Sequence, residues 1–162
     1  MLRVLCALLL FLALGSALAS SEEDEIRQLY RRALAGDKAA VEPCVAQLKL
    51  ALEKDPRNEF ARVTLGSALT LRSRDMGWGP AKLRTLKEGI ATMDAAVSAA
   101  ANDAHVRLIR ALTLDALPAL LGHKGEARRD FAWLQNVMTE HPDRLTPDEQ
   151  RSLREQLGKV AH

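Results

Sequence analysis

Cysteine, aromatic residues and strand-forming residues are scarce in this sequence of 162 residues. It has two cysteines and 4% aromatic residues, and Val, Ile and Thr together number 18. Because β-branched and aromatic residues favour strands, this scarcity argues against an all-β or a doubly wound α/β fold. The 23 Lys+Arg nearly balance the 21 Asp+Glu, so the net charge does not favour nucleic acid as a partner.

Leucine and alanine are abundant instead. The chain contains 28 Leu and 26 Ala, one third of all residues, and both residues are strong helix formers. The length is typical of one domain. The composition therefore predicts a single all-α domain.

An apolar N-terminal segment has the parts of a secretory signal peptide. Arg3 precedes an apolar run over 4–14, and small residues lead to Ala19 before an acidic stretch. The run is too short for a stable span of a hydrocarbon core about 30 Å thick. We predict cleavage after Ala19, which makes residues 1–19 the signal peptide and 20–162 a periplasmic or secreted domain with no stable membrane span. An uncleaved anchor is the alternative.

Cleavage would leave Cys44 as the only thiol, so no intramolecular disulfide is expected. Cys44 shares an apolar helical stripe with Val41, Val45 and Leu48. This position favours a buried, inert cysteine. A reactive or intermolecular thiol is the alternative.

Capping residues and helix breakers divide the domain into seven predicted helices. The first ends at Gly36, the second runs from Asp37 to about Lys54, and the third from Asn58 to about Arg74. The fourth follows a turn over 75–80, and 102–103 separate it from the fifth, which runs to Leu121. The sixth runs from about Lys124 to Glu140, and the seventh starts at a capping box over 146–149. Pro118 lies inside the fifth and is expected to kink it. Such a kink would curve the structure or open a small-molecule pocket.

Similar residues recur at an offset of 45 positions. Leu48, Met93 and Met138 are related in this way, and so are Arg62 and Arg107. One helical hairpin cannot bury its own apolar face, whereas stacked hairpins share a continuous core. The offset therefore predicts about three helical hairpins plus a C-terminal capping helix.

The junction of the second and third predicted helices resembles the tetratricopeptide repeat (TPR). Cys44, Leu48 and Ala51 match its small, bulky and small positions, Pro56 matches the proline that ends that helix, and 65–66 match the Leu-Gly of the next. The resemblance implies a TPR-like α-solenoid whose first helices line a concave groove. A longer stretch, from Leu65 to Leu121, resembles small exported bacterial proteins of this class.

The period leaves a second helical-repeat architecture open. It exceeds the roughly 34 residues of the TPR and also fits the helix pairs of HEAT repeats.

The turn between the third and fourth helices is the main candidate for binding. Arg72, Arg74, Lys82 and Arg84 surround Trp78, which glycines flank. Trp and Arg are frequent at interface hot spots, and the cations would favour an acidic peptide, a carboxylate or a phosphate. The alternative is that Trp78 packs inward as a structural plug.

Arg62 and Arg107 occupy equivalent positions on two first helices and would form a basic stripe in the implied groove. The alternative is structural, because Asp94 and Asp115 lie in apolar stretches where a carboxylate needs a partner. These two arginines are the obvious candidates for that pairing.

No sequence motif indicates catalysis or a cofactor. The chain lacks a Gly-x-Ser-x-Gly elbow, a phosphate-binding glycine loop and a His-Glu-x-x-His zinc motif. His105, His123 and His141 lie at predicted helix boundaries, where solvated histidines are commoner than metal ligands. We expect no catalytic residue, no metal site and no cofactor.

These observations predict a non-enzymatic, exported protein–protein interaction module, an adaptor or scaffold. It would bind an extended peptide segment of a partner in the cell envelope or the medium. The predicted partner-binding residues are Arg62, Arg72, Arg74, Trp78, Lys82, Arg84 and Arg107. The alternatives are a periplasmic protein that binds a small molecule or an anion, and an enzyme of unrecognised type.

Overall fold

A computed structural model describes residues 22–160 as helices joined by short turns, with no β-strand in that range. The seven α-helices are α1 (residues 22–34), α2 (Val41–Lys54), α3 (Glu59–Asp75), α4 (Pro80–Ala99), α5 (Ala104–Ala116), α6 (Lys124–Glu140) and α7 (Pro147–Val160). Short 3-10 helices occupy Lys38–Ala40, Ala119–Leu121 and Pro142–Arg144. The all-α prediction is confirmed. The predicted signal peptide and its cleavage site lie outside the described residues.

Local capping sets most helix boundaries. Asn58 and Asp103 each accept a backbone N–H hydrogen bond at the start of α3 and α5, at 2.9 and 2.8 Å. At α7, Glu149 Oε2 accepts from the Thr146 N–H at 2.8 Å, and Thr146 Oγ1 accepts from the Glu149 N–H at 3.3 Å. Gly36 follows α1 with a φ of 98°, a left-handed conformation that suits glycine. These boundaries confirm the sequence prediction.

The fifth helix is shorter than predicted. It ends at Ala116, and the following Leu117 has an extended backbone with φ −72° and ψ 148°. Pro118 disfavours the α conformation of the residue before it and has no N–H to donate, so the chain leaves the helix there and does not kink. A separate 3-10 turn then leads to Gly122. The predicted end at Leu121 and the predicted kink are both wrong.

Two glycines let α3 and α4 approach closely. A Cβ added at Gly66 would lie 2.6 Å from the Gly89 carbonyl oxygen and 2.5 Å from Met93 Cγ. A Cβ added at Gly89 would lie 2.7 Å from the Gly66 carbonyl oxygen. Each glycine therefore faces the backbone of the other helix, and both positions exclude a larger side chain.

The buried apolar residues form two main clusters. The larger one draws residues from each of the five helices α3, α4, α5, α6 and α7, and includes Met93, Leu114, Phe131 and Leu153. The second joins α2 and α3 around Cys44, with apolar residues of α1 packed against it. Cys44 has no exposed surface, as predicted, and burial raises the pKa of its thiol to about 11.

Within residues 22–160, no helix combines the length and the apolar composition needed to cross a bilayer.

Candidate functional site

An apolar groove with a cavity volume of about 700 Å³ is lined by residues of α1, α3, α5 and α7, the N-terminal part of α4 and the segment 117–121. We call it the inner groove. Its buried and half-buried apolar lining includes Leu71, Leu86, Leu108, Ile109, Leu112 and Leu117. The volume is in the range of ligand-binding clefts, and apolar walls are typical of such sites.

Large apolar side chains at the inner groove are exposed to solvent. In the described part of the chain, seven large apolar side chains are exposed, and five of them line this groove. Those five are Leu34, Trp78, Leu83, Leu120 and Leu121. Apolar patches of this kind mark binding surfaces, because leaving them in water is unfavourable. Sequence patterning alone did not reveal Leu34, Leu83, Leu120 and Leu121 as one surface.

Trp78 projects from the turn between α3 and α4 with 89% of its surface exposed. Lys82 Nζ lies 5.2 Å from the centre of its ring, a cation–π contact worth about 0.5–1 kcal/mol at an exposed site. A plug would be buried by its neighbours, so the interpretation of Trp78 as a structural plug is wrong.

The structure separates the seven predicted binding residues into two groups. Arg74, Trp78 and Lys82 line the inner groove. Arg62, Arg72, Arg84 and Arg107 are not among its lining residues. Ion pairs with carboxylates of the same chain hold Arg62, Arg72 and Arg107 of this second group. The predicted cluster is therefore only partly brought together.

Arg72 and Arg62 are held by nearby groups outside the groove. Arg72 Nε donates to Glu42 Oε1 at 2.7 Å, which links α3 to α2. Arg62 Nε lies 3.3 Å from Glu59 Oε2, and its guanidinium also donates to the Pro56 carbonyl oxygen. These contacts direct both side chains to the start of α3 or to α2.

Arg107 belongs to a buried ion cluster centred on Asp130, whose side chain is 1% exposed. Arg107 Nη1 and Arg110 Nε each donate to an Asp130 carboxylate oxygen at 2.8 Å. The Arg107 guanidinium also lies 4.6 Å from the centre of the Trp133 ring. Asp130 and Trp133 therefore hold Arg107 from two sides inside the fold. Since neither Arg62 nor Arg107 lines the inner groove, the predicted basic stripe is not part of it.

The expected partners of these arginines are also different. Asp94 accepts from Arg110 Nη1 at 3.0 Å, and Asp115 lies 3.2 Å from Lys124 Nζ. The structural alternative was thus right in kind for Arg107 and wrong in its partner. Burial lowers the pKa of Arg110. Its hydrogen bonds to the carboxylates of Asp130 and Asp94 raise that pKa by more, so the net shift is upward.

Sequence reasoning missed Asp130, although a usable pattern was present. Asp130 follows Ala127 by three residues and precedes Leu134 by four, so all three share one face of α6. Ala127 and Leu134 are fully buried. A carboxylate on a buried apolar face requires cationic partners, and Arg107 and Arg110 supply them.

Hydroxyl groups lie at the base of the inner groove. The Tyr30 hydroxyl donates to Ser67 Oγ at 2.8 Å, and Ser67 Oγ lies 2.8 Å from Thr113 Oγ1. These contacts link α1 to α3 and α3 to α5. Burial raises the pKa of Tyr30 to about 12, although its hydrogen bond with Ser67 opposes the shift.

A histidine–carboxylate contact joins α5 to α7 beside the groove. His105 Nδ1 lies 2.7 Å from Glu149 Oε1. Burial raises the pKa of Glu149, but hydrogen bonds from His105 and Thr146 outweigh burial and hold it below its usual value. Glu149 is therefore ionised at neutral pH.

Residues 22–160 contain no group of three or more His, Cys, Asp or Glu side chains placed to hold a metal ion. No protein-family model, no curated protein and no solved structure matches this chain.

Proposed function

We propose that this protein is a non-enzymatic, exported interaction module that binds an apolar segment of a protein partner in the inner groove. One observation carries the proposal: five exposed large apolar side chains line the same groove. Burial of apolar surface stabilises a complex by about 25 cal/mol per Å² before the costs of association. A partner that covers these side chains would recover that energy.

The helix order supports a TPR-like α-solenoid as the architecture. The groove is lined by α1, α3, α5 and α7, which alternate along the chain with α2, α4 and α6, and of these three only the N-terminal part of α4 contributes to the lining. In a solenoid of helical hairpins, the first helix of each hairpin lines the concave surface. Three hairpins and a capping helix would produce this alternation.

The chemistry of the groove supports binding without catalysis. Its lining is mainly apolar, and burial raises the pKa of the Tyr30 hydroxyl to about 12, further from neutrality than the ordinary value of 10. A general acid or base works best when its pKa is near the operating pH. The proposed role needs only shape and apolar surface.

Export is proposed from the N-terminal sequence. The test is expression of the full coding sequence in a bacterial host, followed by fractionation and N-terminal sequencing of the product. The proposal expects a product outside the cytoplasm that begins at Ser20. An intact product retained with the cytoplasmic fraction would contradict it.

Site-specific photocrosslinking in cells tests the interaction. A photoreactive amino acid replaces Leu120 in the groove, and in the control it replaces Leu50, which is exposed outside the groove. We expect an adduct from position 120, none from position 50, and a mapped crosslink within an apolar segment of the partner. A synthetic peptide of that segment must then bind the purified protein, and lose affinity to its Trp78→Ala variant. Equal adducts from both positions would contradict the proposal.

A small apolar molecule is the second candidate occupant. The hydroxyl groups of Tyr30, Ser67 and Thr113 at the base of the groove favour it, because a few polar groups in an apolar cleft typically orient a small ligand. Solvent extraction of the purified protein and mass spectrometry would reveal a stoichiometric small molecule. Recovery of one would favour this candidate over a protein partner.

A further inference from the structure

Five charged side chains line the inner groove, and they are separated by sign. The cations are Arg31 on α1, Arg74 at the end of α3 and Lys82 at the start of α4. The carboxylates are Asp148 and Glu149, both in the first turn of α7. A ligand that fills the groove would meet positive charge on one side and negative charge on the other.

Three contacts fix the order of the helices that separate these charges. Tyr30 joins α1 to α3, the Ser67–Thr113 contact joins α3 to α5, and the His105–Glu149 contact joins α5 to α7. The order across the groove is therefore α1, α3, α5, α7. The cation of α1 and the carboxylates of α7 belong to its two outer helices.

Two of the three cations, Arg31 and Lys82, donate to backbone carbonyl oxygens and so keep their charge for a ligand. Arg31 Nε donates to the Arg27 carbonyl oxygen at 3.4 Å, and Lys82 Nζ donates to the carbonyl oxygens of Arg74 and Met76. Carbonyl oxygens accept these hydrogen bonds without neutralising the charge. Arg74 differs, because its guanidinium is paired with Asp75.

On α7, Asp148 Oδ1 lies 3.1 Å from Arg151 Nη1, but both side chains of that pair are more than two thirds exposed, so a ligand can compete for the carboxylate. Glu149 is held by His105.

The wall chemistry favours a helical occupant. Apart from the turn that carries Trp78 and the segment 117–121, the groove is built from α-helices, whose backbone N–H and C=O groups are already paired within each helix. An extended peptide buried there would lose its backbone hydrogen bonds to water and find few replacements. A helix satisfies its own backbone and can present an apolar face to an apolar groove.

We propose that the occupant is an amphipathic helix of a protein partner, acidic at the end beside Arg31 and Lys82 and basic at the end beside Asp148 and Glu149. This inference rests on the proposed function and specifies its partner. Three helix-to-helix steps of 8–10 Å give a span of at most about 30 Å across the groove. A helix of about 18 residues covers about 27 Å at 1.5 Å per residue.

Synthetic peptides of about 18 residues test the charge requirement. A dipolar peptide carries a leucine face, glutamates at one end and lysines at the other. A neutral peptide has the same leucine face with glutamine at every charged position, and a third peptide carries glutamate at both ends. Binding to the protein, expressed from its full coding sequence, is measured by fluorescence anisotropy at low and moderate salt.

The dipolar peptide should bind about tenfold more tightly than the neutral one at low salt, which corresponds to about 1.4 kcal/mol. It should also bind more tightly than the acidic peptide, and both advantages should decrease with salt. Arg31→Glu and Asp148→Lys should each weaken the dipolar peptide several-fold. Arg84→Glu is the matched control, because it makes the same reversal of charge, from cation to anion, at an exposed residue outside the groove, and it should change affinity less than twofold.

The outcomes separate the two proposals. Equal affinity for the dipolar and neutral peptides, or an equal effect of Arg31→Glu and Arg84→Glu, would overturn the charge requirement and leave peptide binding intact. Equal affinity for the acidic peptide would overturn the role of α7. Failure of all three peptides to bind would overturn the helical partner. If dodecanoate then raises the melting temperature, the proposed function fails with it.

Discussion

The close crossing of α3 and α4 makes Gly66→Ala the most informative stability test. The new methyl group would lie 2.6 Å from the Gly89 carbonyl oxygen, 2.8 Å from the Met93 backbone nitrogen and 2.5 Å from Met93 Cγ. The flexible Met93 side chain can move, but the two backbone atoms move only if the helices separate. Such separation would loosen the packing around Met93, which is fully buried.

The expected magnitude follows from two opposing effects. Overpacking of a well-packed core costs about 1–3 kcal/mol, and contact with backbone atoms favours the upper part of that range. Alanine in place of glycine inside a helix returns about 1 kcal/mol. We therefore expect Gly66→Ala to lower the free energy of unfolding by about 2 kcal/mol.

Urea denaturation followed by circular dichroism at 222 nm measures this change. With a slope of about 1–3 kcal/mol per molar urea, the midpoint should decrease by about 1 M. Gly158→Ala in α7 is the matched control, because an added Cβ there meets nothing within 4 Å. The control should be stabilised by about 0.5–1 kcal/mol. If Gly66→Ala unfolds at or above the wild-type midpoint, α3 and α4 do not cross at these glycines.

Three further predictions concern titratable side chains. Asp130→Asn should lower the free energy of unfolding in urea by about 3–5 kcal/mol, because it leaves two arginines beside a neutral group. Asp94→Asn, at a partly exposed ion pair, should lower it by about 1 kcal/mol or less. Equal losses would contradict the buried cluster. Cys44 should not react with a thiol reagent at pH 8 until urea unfolds the protein, since it is buried and its pKa is about 11; rapid labelling of the native protein would refute its burial. The pKa of Glu149 is lower in the folded state, so its contact with His105 stabilises the fold above the ordinary carboxyl pKa, and this stabilisation is lost as pH falls through the folded-state pKa. Unfolding measured against pH should therefore show Glu149→Gln less stable than wild type at pH 7 and equal to it in strong acid; a difference independent of pH would exclude this linkage.

Helix boundaries were predictable where the cause is local. Asn58 and Asp103 bond to backbone N–H groups two or three residues away, and the capping box joins Thr146 and Glu149, which are three positions apart. The fifth helix is the exception, because Pro118 ends the helix and does not kink it. Either outcome satisfies the local chemistry of proline, so neighbouring residues alone did not decide between them.

The candidate site was predictable only in part. Three residues of the Trp78 turn, Arg74, Trp78 and Lys82, do line the inner groove. Whether the tryptophan packs inward or projects depends on how helices distant in sequence close around the turn. The partner of Arg107 likewise depends on the placement of α6, which brings Asp130 within 2.8 Å across 23 positions of sequence.

The sequence by itself determined the helical class, most helix boundaries and the burial of Cys44, because composition, capping and 3.6-residue periodicity act over a few residues. Only the tertiary structure decided which surface is left uncovered. Leu34, Trp78 and Leu120 lie in three separate segments, and they line one groove because α3 packs between α1 and α5. The physical reason is that a side chain's exposure depends on its neighbours in space, and long-range packing selects those neighbours.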